Sequence, residues 1–266
     1  MHRFRLFIAG LLACMILVAG GFTGGSSFVG SLALAQDGRG LEALTHNRSQ
    51  EGFPLTSKLW PRGQSIPVCW DMQVQAFNGY AAQREIVRQA VANTWEAVSL
   101  IRFVDWQRCT GADNQGLTIV ANQLGPAAIG GLGTMLMNNK PGLQLNFEFA
   151  QWSQPCQQKK AECIRIIAVH EFGHVLGFAH EQNRDDTPFG FCSAEEGPQG
   201  LDGDEKFGPW DLASVMNYCN PNWNGNGDLS AGDIAMVKYY YGDPDAVVEA
   251  PISIFDESGN FLTIVQ

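Results

Sequence analysis

The residues that decide the fold read HEFGHVLGFAH, at positions 170–180, and they include three of the chain's five histidines. On a helix, His170 and His174 lie one turn apart, so both rings project from one face and can bind the same metal ion. The side chain of Glu171 projects about 100° around the helix axis from that of His170. The carboxylate is therefore within reach of a metal-bound water rather than of the metal itself.

The end of the same run places a third ligand. Gly177 tolerates the left-handed backbone that ends a helix, so the chain can present His180 from beyond the helix. Three imidazoles leave the fourth position of a tetrahedral zinc ion open for water, which is typical of a catalytic site. The alternative is that these histidines are ordinary surface or core groups of a helix.

The first 35 residues have the features of a secretory signal peptide. A basic start with Arg3 and Arg5 precedes an apolar run over 6–22, and a small-x-small site at 32–35 comes before Gln36. A membrane anchor is the alternative, because the apolar run is near the lower limit for a span. We expect a secreted protein, extracellular or periplasmic, without a stable membrane anchor once the signal is removed.

The charge of the chain restricts its partners. The formal net charge is −10 at pH 7, and loss of 1–35 removes two arginines and no acidic residue, which gives −12. An acidic surface argues against nucleic acids and anionic membranes as partners. We expect protein or peptide substrates, and a monomer.

Six of the seven cysteines lie after residue 35. An even number in an exported chain indicates three disulfides. Six cysteines allow 15 connectivities, so the sequence alone cannot choose among them. Joining neighbours in chain order predicts Cys69–Cys109, Cys156–Cys163 and Cys192–Cys219. A cysteine-ligated zinc is the weaker alternative, because there is no Cys-x-x-Cys pair.

Apolar periodicity predicts the secondary structure. Strands are expected at 66–70, 102–106, 117–121, 134–137 and 143–149, and helices at 81–100, 159–176 and 229–241. Residues 181–229 are rich in Gly, Asp, Asn and Pro and should be mostly irregular. The predicted fold class is α+β, with a twisted mixed sheet and two long helices in the N-terminal half and one helix in an irregular C-terminal half.

The histidine motif and its continuation resemble the metzincin zinc endopeptidases, most closely the astacin branch. In that branch the third histidine is followed by Glu, with Arg and Asp shortly after, as at Glu181, Arg184 and Asp186. The start at 59–63 also resembles an astacin catalytic domain, whereas the last helix is more similar to that of matrixins or serralysins. The resemblance implies a zincin-like catalytic domain with one catalytic zinc ion.

A second element, Ser-Val-Met-Asn-Tyr at 214–218, resembles the methionine turn of this family. The resemblance implies that Met216 forms an apolar floor beneath the zinc. It also implies that Tyr218 is a movable zinc ligand that stabilises the transition state, although a packed core tyrosine is the alternative. The segment 133–137 resembles the edge strand that pairs with an extended substrate, with a buried strand as its alternative.

These observations divide the chain into four segments. Residues 1–35 are the signal peptide, 36–58 a flexible lead or short propeptide, 59–242 the zinc metallopeptidase catalytic domain and 243–266 a C-terminal tail or hairpin. The expected function is a secreted zinc endopeptidase with Glu171 as general base. Two alternatives remain: a zinc-bearing binding or effector module without turnover, and a structural domain held by disulfides.

A weaker pattern concerns calcium. Asn222, Asn224, Asn226 and Asp228, followed by Asp233, match the spacing of a helix-loop-helix calcium loop. Position one is Asn and position twelve is Asp, and no helix is predicted before the loop. A turn that leads into a helix cap explains the pattern equally well.

Overall fold

The computed structural model describes residues 51–111, 116–192 and 196–246, together with two short strands near the C-terminus. All of these residues belong to one unit, Thr45–Gln266. The predicted signal peptide at 1–35 and the part of the predicted lead at 36–50 lie outside the described residues.

A five-stranded mixed sheet forms the N-terminal half. Its strands are β1 (Ser65–Trp70), β2 (Arg102–Arg108), β3 (Leu117–Asn122), β4 (Ala127–Ala128) and β5 (Leu143–Asn146). Their order across the sheet is β2-β1-β3-β5-β4. β1 runs parallel to β2 and β3, and β3 runs parallel to β5. The short strand β4 pairs antiparallel with β5 and forms one edge of the sheet.

Among the described residues, five α-helices accompany the sheet. They are α1 (Val74–Gly79), α2 (Ala81–Ala92), α3 (Gln154–Gln158), α4 (Lys160–Val175) and α5 (Ala231–Tyr241). Because β1 and β2 are parallel, the chain needs a crossover between them, and α1 and α2 supply it. The predicted α+β class is confirmed, with the two longer helices of the N-terminal half, α2 and α4, packed against each other.

The helix α4 is the centre of the core. Every residue from Ile166 to Val175 is buried, and a helix buried on all sides must be apolar all round except where it carries a site. Two tryptophans from other parts of the chain donate hydrogen bonds to backbone carbonyls of α4. Trp95 Nε1 donates to Val169 O at 2.8 Å, and Trp60 Nε1 donates to Val175 O at 2.7 Å. The histidine motif therefore lies on a buried helix that is held by hydrogen bonds from two other parts of the chain.

The last helix, α5, has strong end signals. Ser230 accepts a hydrogen bond from the Asp233 backbone N–H, and the Asp233 carboxylate accepts one from the Ser230 N–H, which is a capping box. Gly242 ends the helix with a positive φ of 97°. Tyr241 Oη donates to Leu176 O at 2.5 Å, so α5 is tied to the end of α4.

The predicted helix at 81–100 is too long. It ends at Ala92, and residues 93–100 form turns. Thr94 Oγ1 donates to Ala90 O at 2.7 Å and Ser99 Oγ to Trp95 O at 2.6 Å. Hydroxyl groups that bond nearby carbonyls compete with the helical pattern, and the apolar spacing alone did not reveal this.

The predicted strand at 134–137 is wrong. A 3-10 helix occupies Gly133–Asn138 instead. Gly133 has a φ of 55°, and a Cβ there would lie 1.9 Å from Lys58 O. The left-handed glycine packed against the chain at Lys58 turns the segment away from the sheet. The edge of the sheet is consequently β4, and the predicted strand at 143–149 is shorter, as β5.

Residues 51–58, which we expected to be a flexible lead, pair with the domain. Gly52 forms a β-bridge with Phe207, and Pro54 forms one with Phe178.

Near the C-terminal end, β6 (Ile252–Phe255) and β7 (Phe261–Val265) form an antiparallel hairpin, one of the two forms expected for 243–266. All three predicted disulfides are present: Cys69–Cys109, Cys156–Cys163 and Cys192–Cys219.

Candidate metal and catalytic site

The three histidines of the motif converge on one point. His170 and His174 project from α4, and Gly177, with a φ of 95°, reverses the chain so that His180 joins them. The His174 Nε2 lies 3.1 Å from the His180 Nε2, which lies 3.3 Å from the His170 Nε2. Among the described residues, these three histidines are the group of His, Cys, Asp or Glu side chains whose ligand atoms lie close enough together to hold one metal ion.

Each imidazole is oriented by a backbone carbonyl. Val215 O lies 2.7 Å from His170 Nδ1 and Phe178 O 2.7 Å from His174 Nδ1. Gln199 O lies 2.8 Å from His180 Nδ1. A carbonyl only accepts, so each Nδ1 carries the proton and each Nε2 presents a lone pair towards the other two. Metal-binding histidines usually have such a hydrogen bond at the ring nitrogen that does not face the metal, and it fixes the tautomer and the orientation of the ring.

The donor set fits a zinc ion. Ligand nitrogens arranged tetrahedrally around zinc at about 2.0–2.1 Å stand about 3.4 Å apart, close to the distances from His180 Nε2 to the Nε2 atoms of His174 and His170. Burial lowers the pKa of His170 to about 3, with the charge of His180 adding to the effect. Burial also lowers the pKa of His174. The rings are therefore neutral at physiological pH, and three mutually facing lone pairs favour a cation between them.

Glu171 is buried beside this cluster. The residue is 4% exposed and its Oε2 has no hydrogen-bond partner, so the carboxylate is not an exposed group on the helix surface. Burial raises the pKa of Glu171 to about 8, and a backbone hydrogen bond from Ala128 opposes the rise. The side chain lines a cavity of about 540 Å³ together with His174 and His180. An unpartnered carboxylate oxygen in a cavity is suited to hold and move a proton.

Tyr218 packs over the histidines. Its ring lies 5.2 Å from the His170 ring, nearly parallel, and 4.4 Å from the His180 ring, measured between centroids. Its backbone N–H donates to Gln182 Oε1 at 3.1 Å. Burial and the charge of Glu171 raise its pKa. The phenol is therefore a hydrogen-bond donor at the wall of the cavity.

Met216 contacts α4 through a glycine. A Cβ at Gly173 would lie 2.3 Å from Met216 Sδ, so the thioether fits against the helix between two of the ligands because residue 173 has no side chain. Met216 is 1% exposed. Its N–H donates to Ser214 Oγ, and its carbonyl accepts from the Glu181 N–H at 3.0 Å. The turn at 214–218 is thereby attached to the chain that follows His180.

Glu181 belongs to a buried ion pair, not to the metal cluster. Its Oε1 accepts from Arg184 Nη1 at 3.1 Å, and the two side chains are 1% and 0% exposed. The same oxygen accepts from the Asp211 N–H at 3.0 Å. Arg184 also forms two hydrogen bonds with Asp186, both at 2.8 Å. The three residues that suggested the family resemblance thus stabilise the irregular segment behind His180.

Several groups of the site were not expected from the sequence. Three are the carbonyls that orient the imidazoles. Another is Asp233, whose carboxylate accepts from Ser214 Oγ at 2.7 Å and from the Val215 N–H at 2.9 Å. The Val215 carbonyl in turn accepts a hydrogen bond from His170 Nδ1. Asp233 of α5 therefore supports a candidate metal ligand through one intervening residue, Val215. The capping pattern at 230–233 predicts the cap, but not this second use of the carboxylate.

The predicted calcium loop is organised around an arginine. Arg165 donates to Asn226 O at 2.5 Å and to Gly227 O at 3.2 Å, and it pairs with Asp228 at 3.3 Å. A guanidinium therefore supplies the positive charge where the loop oxygens meet. Calcium remains a prediction from the sequence alone.

With this geometry established, comparison with known proteins identifies the family. The model of a family described as "Dual-action HEIGH metallo-peptidase" matches residues 35–241. The chain belongs to this family. The five letters HEIGH correspond to His170–His174, with Phe172 in place of the isoleucine. The predicted metallopeptidase class is confirmed, whereas the finer assignment to the astacin branch is not supported. That assignment rested on two short motifs, at 180–186 and 214–218.

Two individual proteins illustrate the similarity. The embryonic protein UVS.2 of Xenopus laevis is 28% identical over 183 residues, which cover 65% of this chain and 30% of that protein. This chain therefore corresponds to about a third of its relative's length. The solved structure of myroilysin is 19% identical with a TM-score of 0.53, over 74% of this chain and all of that one. At this identity the likeness shows a common fold.

Among the residues that the structure describes, no helix has both the length and the apolar character needed to span a bilayer.

Proposed function

We propose that this chain is a secreted zinc endopeptidase that hydrolyses peptide bonds in extended protein segments. The observation that carries the proposal is the convergence of three lone-pair nitrogens next to an unpartnered buried carboxylate, at the wall of an open cavity. His170, His174 and His180 would hold the zinc ion, which would supply a Lewis acid for the substrate carbonyl and lower the pKa of a water molecule.

Glu171 acts as the general base and then as the general acid. Its free Oε2 accepts a proton from the attacking water and afterwards delivers that proton to the leaving amide nitrogen. Burial raises the pKa of Glu171 to about 8, which stabilises the protonated form that delivers the proton to the leaving nitrogen. Tyr218, a phenol held protonated at the cavity wall, donates a hydrogen bond to the oxyanion as its charge develops.

The cavity also offers a surface for the substrate backbone. The edge strand β4, with Ala127 and Ala128, lines it, as do Gly130 and Gly131. An extended peptide can add to such an edge as a further strand. This role belongs to β4 and not to 133–137, where we had expected the edge strand.

Secretion is part of the proposal. The signal-like segment at 1–35 and the three disulfides are consistent with an oxidising compartment. We expect the mature chain to act as a monomer on protein or peptide substrates. The alternative function, a zinc-bearing binding module without turnover, would have the same histidines but no use for a buried, unpartnered glutamate.

The test compares the purified chain with Glu171→Gln, which preserves the shape of the side chain. Cleavage of an unfolded protein and zinc content are measured in both. We expect one zinc per chain in each and a loss of at least about 100-fold in kcat/KM in the variant, as expected for removal of a general base. As a matched control, the exposed Glu162→Gln should retain full activity.

The possible outcomes separate the functions. If both proteins bind zinc and neither cleaves any substrate, the binding module replaces the peptidase. If neither binds zinc, the metal site itself is wrong. If Glu171→Gln cleaves as fast as the wild type, the site functions with a different base.

A further inference from the structure

The third histidine of the cluster is oriented by a part of the chain that is distant in sequence. The carbonyl that accepts from His180 Nδ1 belongs to Gln199, 19 residues further on. For His174 the accepting carbonyl is only four residues away, at Phe178. Gln199 lies in irregular backbone, so neither a helix nor a strand fixes the direction of its carbonyl. Another contact must do so.

The side-chain amide of Asn183 supplies this contact. Its Nδ2 donates to Gln199 O at 2.8 Å, and its Oδ1 accepts from the Gln199 N–H at 2.9 Å. Nδ2 also donates to Asp202 Oδ1 at 2.9 Å. These partners determine which end of the amide carries the nitrogen, because two are acceptors and one is a donor. One side chain thus holds both backbone polar groups of Gln199.

Asn183 is also attached to the backbone of the histidine itself. It is the last residue of the 3-10 helix Glu181–Asn183, and its N–H donates to His180 O at 3.1 Å. The hydrogen bonds therefore form a closed ring, from the His180 carbonyl through Asn183 to the Gln199 backbone and back to the His180 imidazole. Gln199 O uses both of its lone pairs, one for each side chain. A rotation of this carbonyl would break at least one bond of the ring.

We propose that Asn183 is a positioning residue for the metal site. Through the Gln199 backbone, its amide holds the His180 ring with Nε2 directed towards the Nε2 atoms of His170 and His174. Outer hydrogen-bond partners of metal-binding histidines typically contribute about 10–100-fold to metal affinity, and we expect the lower end of that range for a contact one step further out. This inference rests on the zinc site of the proposed function, but not on turnover.

The first test measures the dissociation constant of zinc for Asn183→Asp, by competition with a chromogenic chelator at neutral pH. The new side chain has nearly the same shape and can still accept from the Gln199 N–H. It places an oxygen where the donor to Gln199 O and Asp202 Oδ1 had been. We expect Kd to rise about tenfold. Asn183→Ala removes the same donor without adding a charge, so its Kd should rise in the same direction.

Urea unfolding of the metal-free proteins separates positioning from a general structural role. A residue that only stabilises the segment around Gln199 would lower the free energy of unfolding and leave the zinc Kd of the folded protein unchanged. If either variant is folded and binds zinc as tightly as the wild type, the proposal is overturned.

A compensating variant controls for the added charge. In Asn183→Asp/Asp202→Asn the amide at 202 can donate to the carboxylate at 183, whereas Gln199 O still lacks its donor. We expect the double variant to regain stability and to keep the raised Kd. Asp202→Asn alone retains an acceptor for Asn183 and should bind zinc like the wild type. Wild-type affinity in the double variant would mean that the contact with Gln199 O is not what matters.

The outcomes distinguish this inference from the proposed function. If the wild type binds zinc and cleaves nothing, the peptidase is wrong, and the zinc affinities still test Asn183. If the wild type binds no zinc, both proposals are wrong. Zinc-dependent cleavage by the wild type together with an unchanged Kd in Asn183→Asp and Asn183→Ala overturns the role of Asn183 alone.

Discussion

The two halves of the catalytic domain bury different kinds of side chain. In residues 51–176 the described core is apolar, and outside the metal site its buried polar side chains are Ser99, Thr118 and Asn146. Over 177–241 many of the buried side chains are polar or charged. They are His180, Glu181, Gln182, Arg184, Asp211, Ser214, Asn217, Asn220, Asn224 and Asp233.

This difference follows from the local structure. The strands and helices of the first half satisfy their own backbone groups, so apolar side chains can fill the space between them. The second half has little regular structure until α5 begins, and its backbone groups must find side-chain partners. Arg184 alone donates to the carbonyls of Gly52, Gly208 and Pro209. We therefore expect single substitutions of polar residues to be costly in the second half and mild in the first.

The largest effect is expected for Arg184→Leu. The substitution leaves the Glu181 carboxylate buried without its cation and three carbonyls without a donor, so stability should fall by about 3–5 kcal/mol. Urea unfolding of the zinc-loaded protein measures the change. As a control in the first half, Arg88→Leu removes the exposed pair with Glu85 and should cost less than about 1 kcal/mol. Equal losses in the two variants would contradict the comparison.

A smaller effect is expected where the two halves meet, at Gly173 and Met216. In Gly173→Ala the new methyl group overlaps Met216 Sδ and approaches the Trp95 ring at 3.3 Å. Overpacking costs about 1–3 kcal/mol, partly offset by about 1 kcal/mol of helix propensity. We expect a net loss of up to about 2 kcal/mol in thermal unfolding.

The same substitution in a Met216→Ala background should be neutral or stabilising, because the overlapping sulfur is gone. A loss of equal size in both backgrounds would mean that Gly173 is required for some reason other than the methionine.

The smallest effect is expected for two helix caps. Ser230 caps α5 and also donates to Asp211 Oδ2 at 2.6 Å, whereas Ser153 caps α3 through a hydrogen bond of 3.3 Å to Cys156 N. Ser230→Ala should cost about 1 kcal/mol, and Ser153→Ala less. Guanidinium unfolding curves of the two variants and the wild type measure the two losses of stability. A larger loss in Ser153→Ala would show that the polar network of the second half is not the more sensitive one.

The same contrast explains which features the sequence could predict. His170, Glu171 and His174 lie on a helix whose period is known, so their relation follows from spacing alone. The position of His180 could be predicted because Gly177 marks the end of the helix, where the chain reverses. The disulfides followed from chain order because each joins segments that pack as neighbours.

Other features depend on distant contacts and leave no local pattern. The carbonyls of Phe178, Gln199 and Val215 orient the ligands, but any residue type offers a carbonyl. The residue pattern at 134–137 predicts a strand, because the contact of Gly133 with Lys58 leaves no signal in the sequence. Gly173 could have been noticed, since a glycine inside a helix commonly marks a close approach.

The most direct test of the central claim is a zinc titration of the metal-free protein. The purified chain is stripped with a chelator, and zinc is returned in known amounts while cleavage of an unfolded protein is followed in the same samples. Three converging imidazoles predict no cleavage without metal, a linear rise, and a plateau at one zinc per chain. Cleavage by the stripped protein, or a plateau well above one zinc, would contradict a single zinc ion held by His170, His174 and His180.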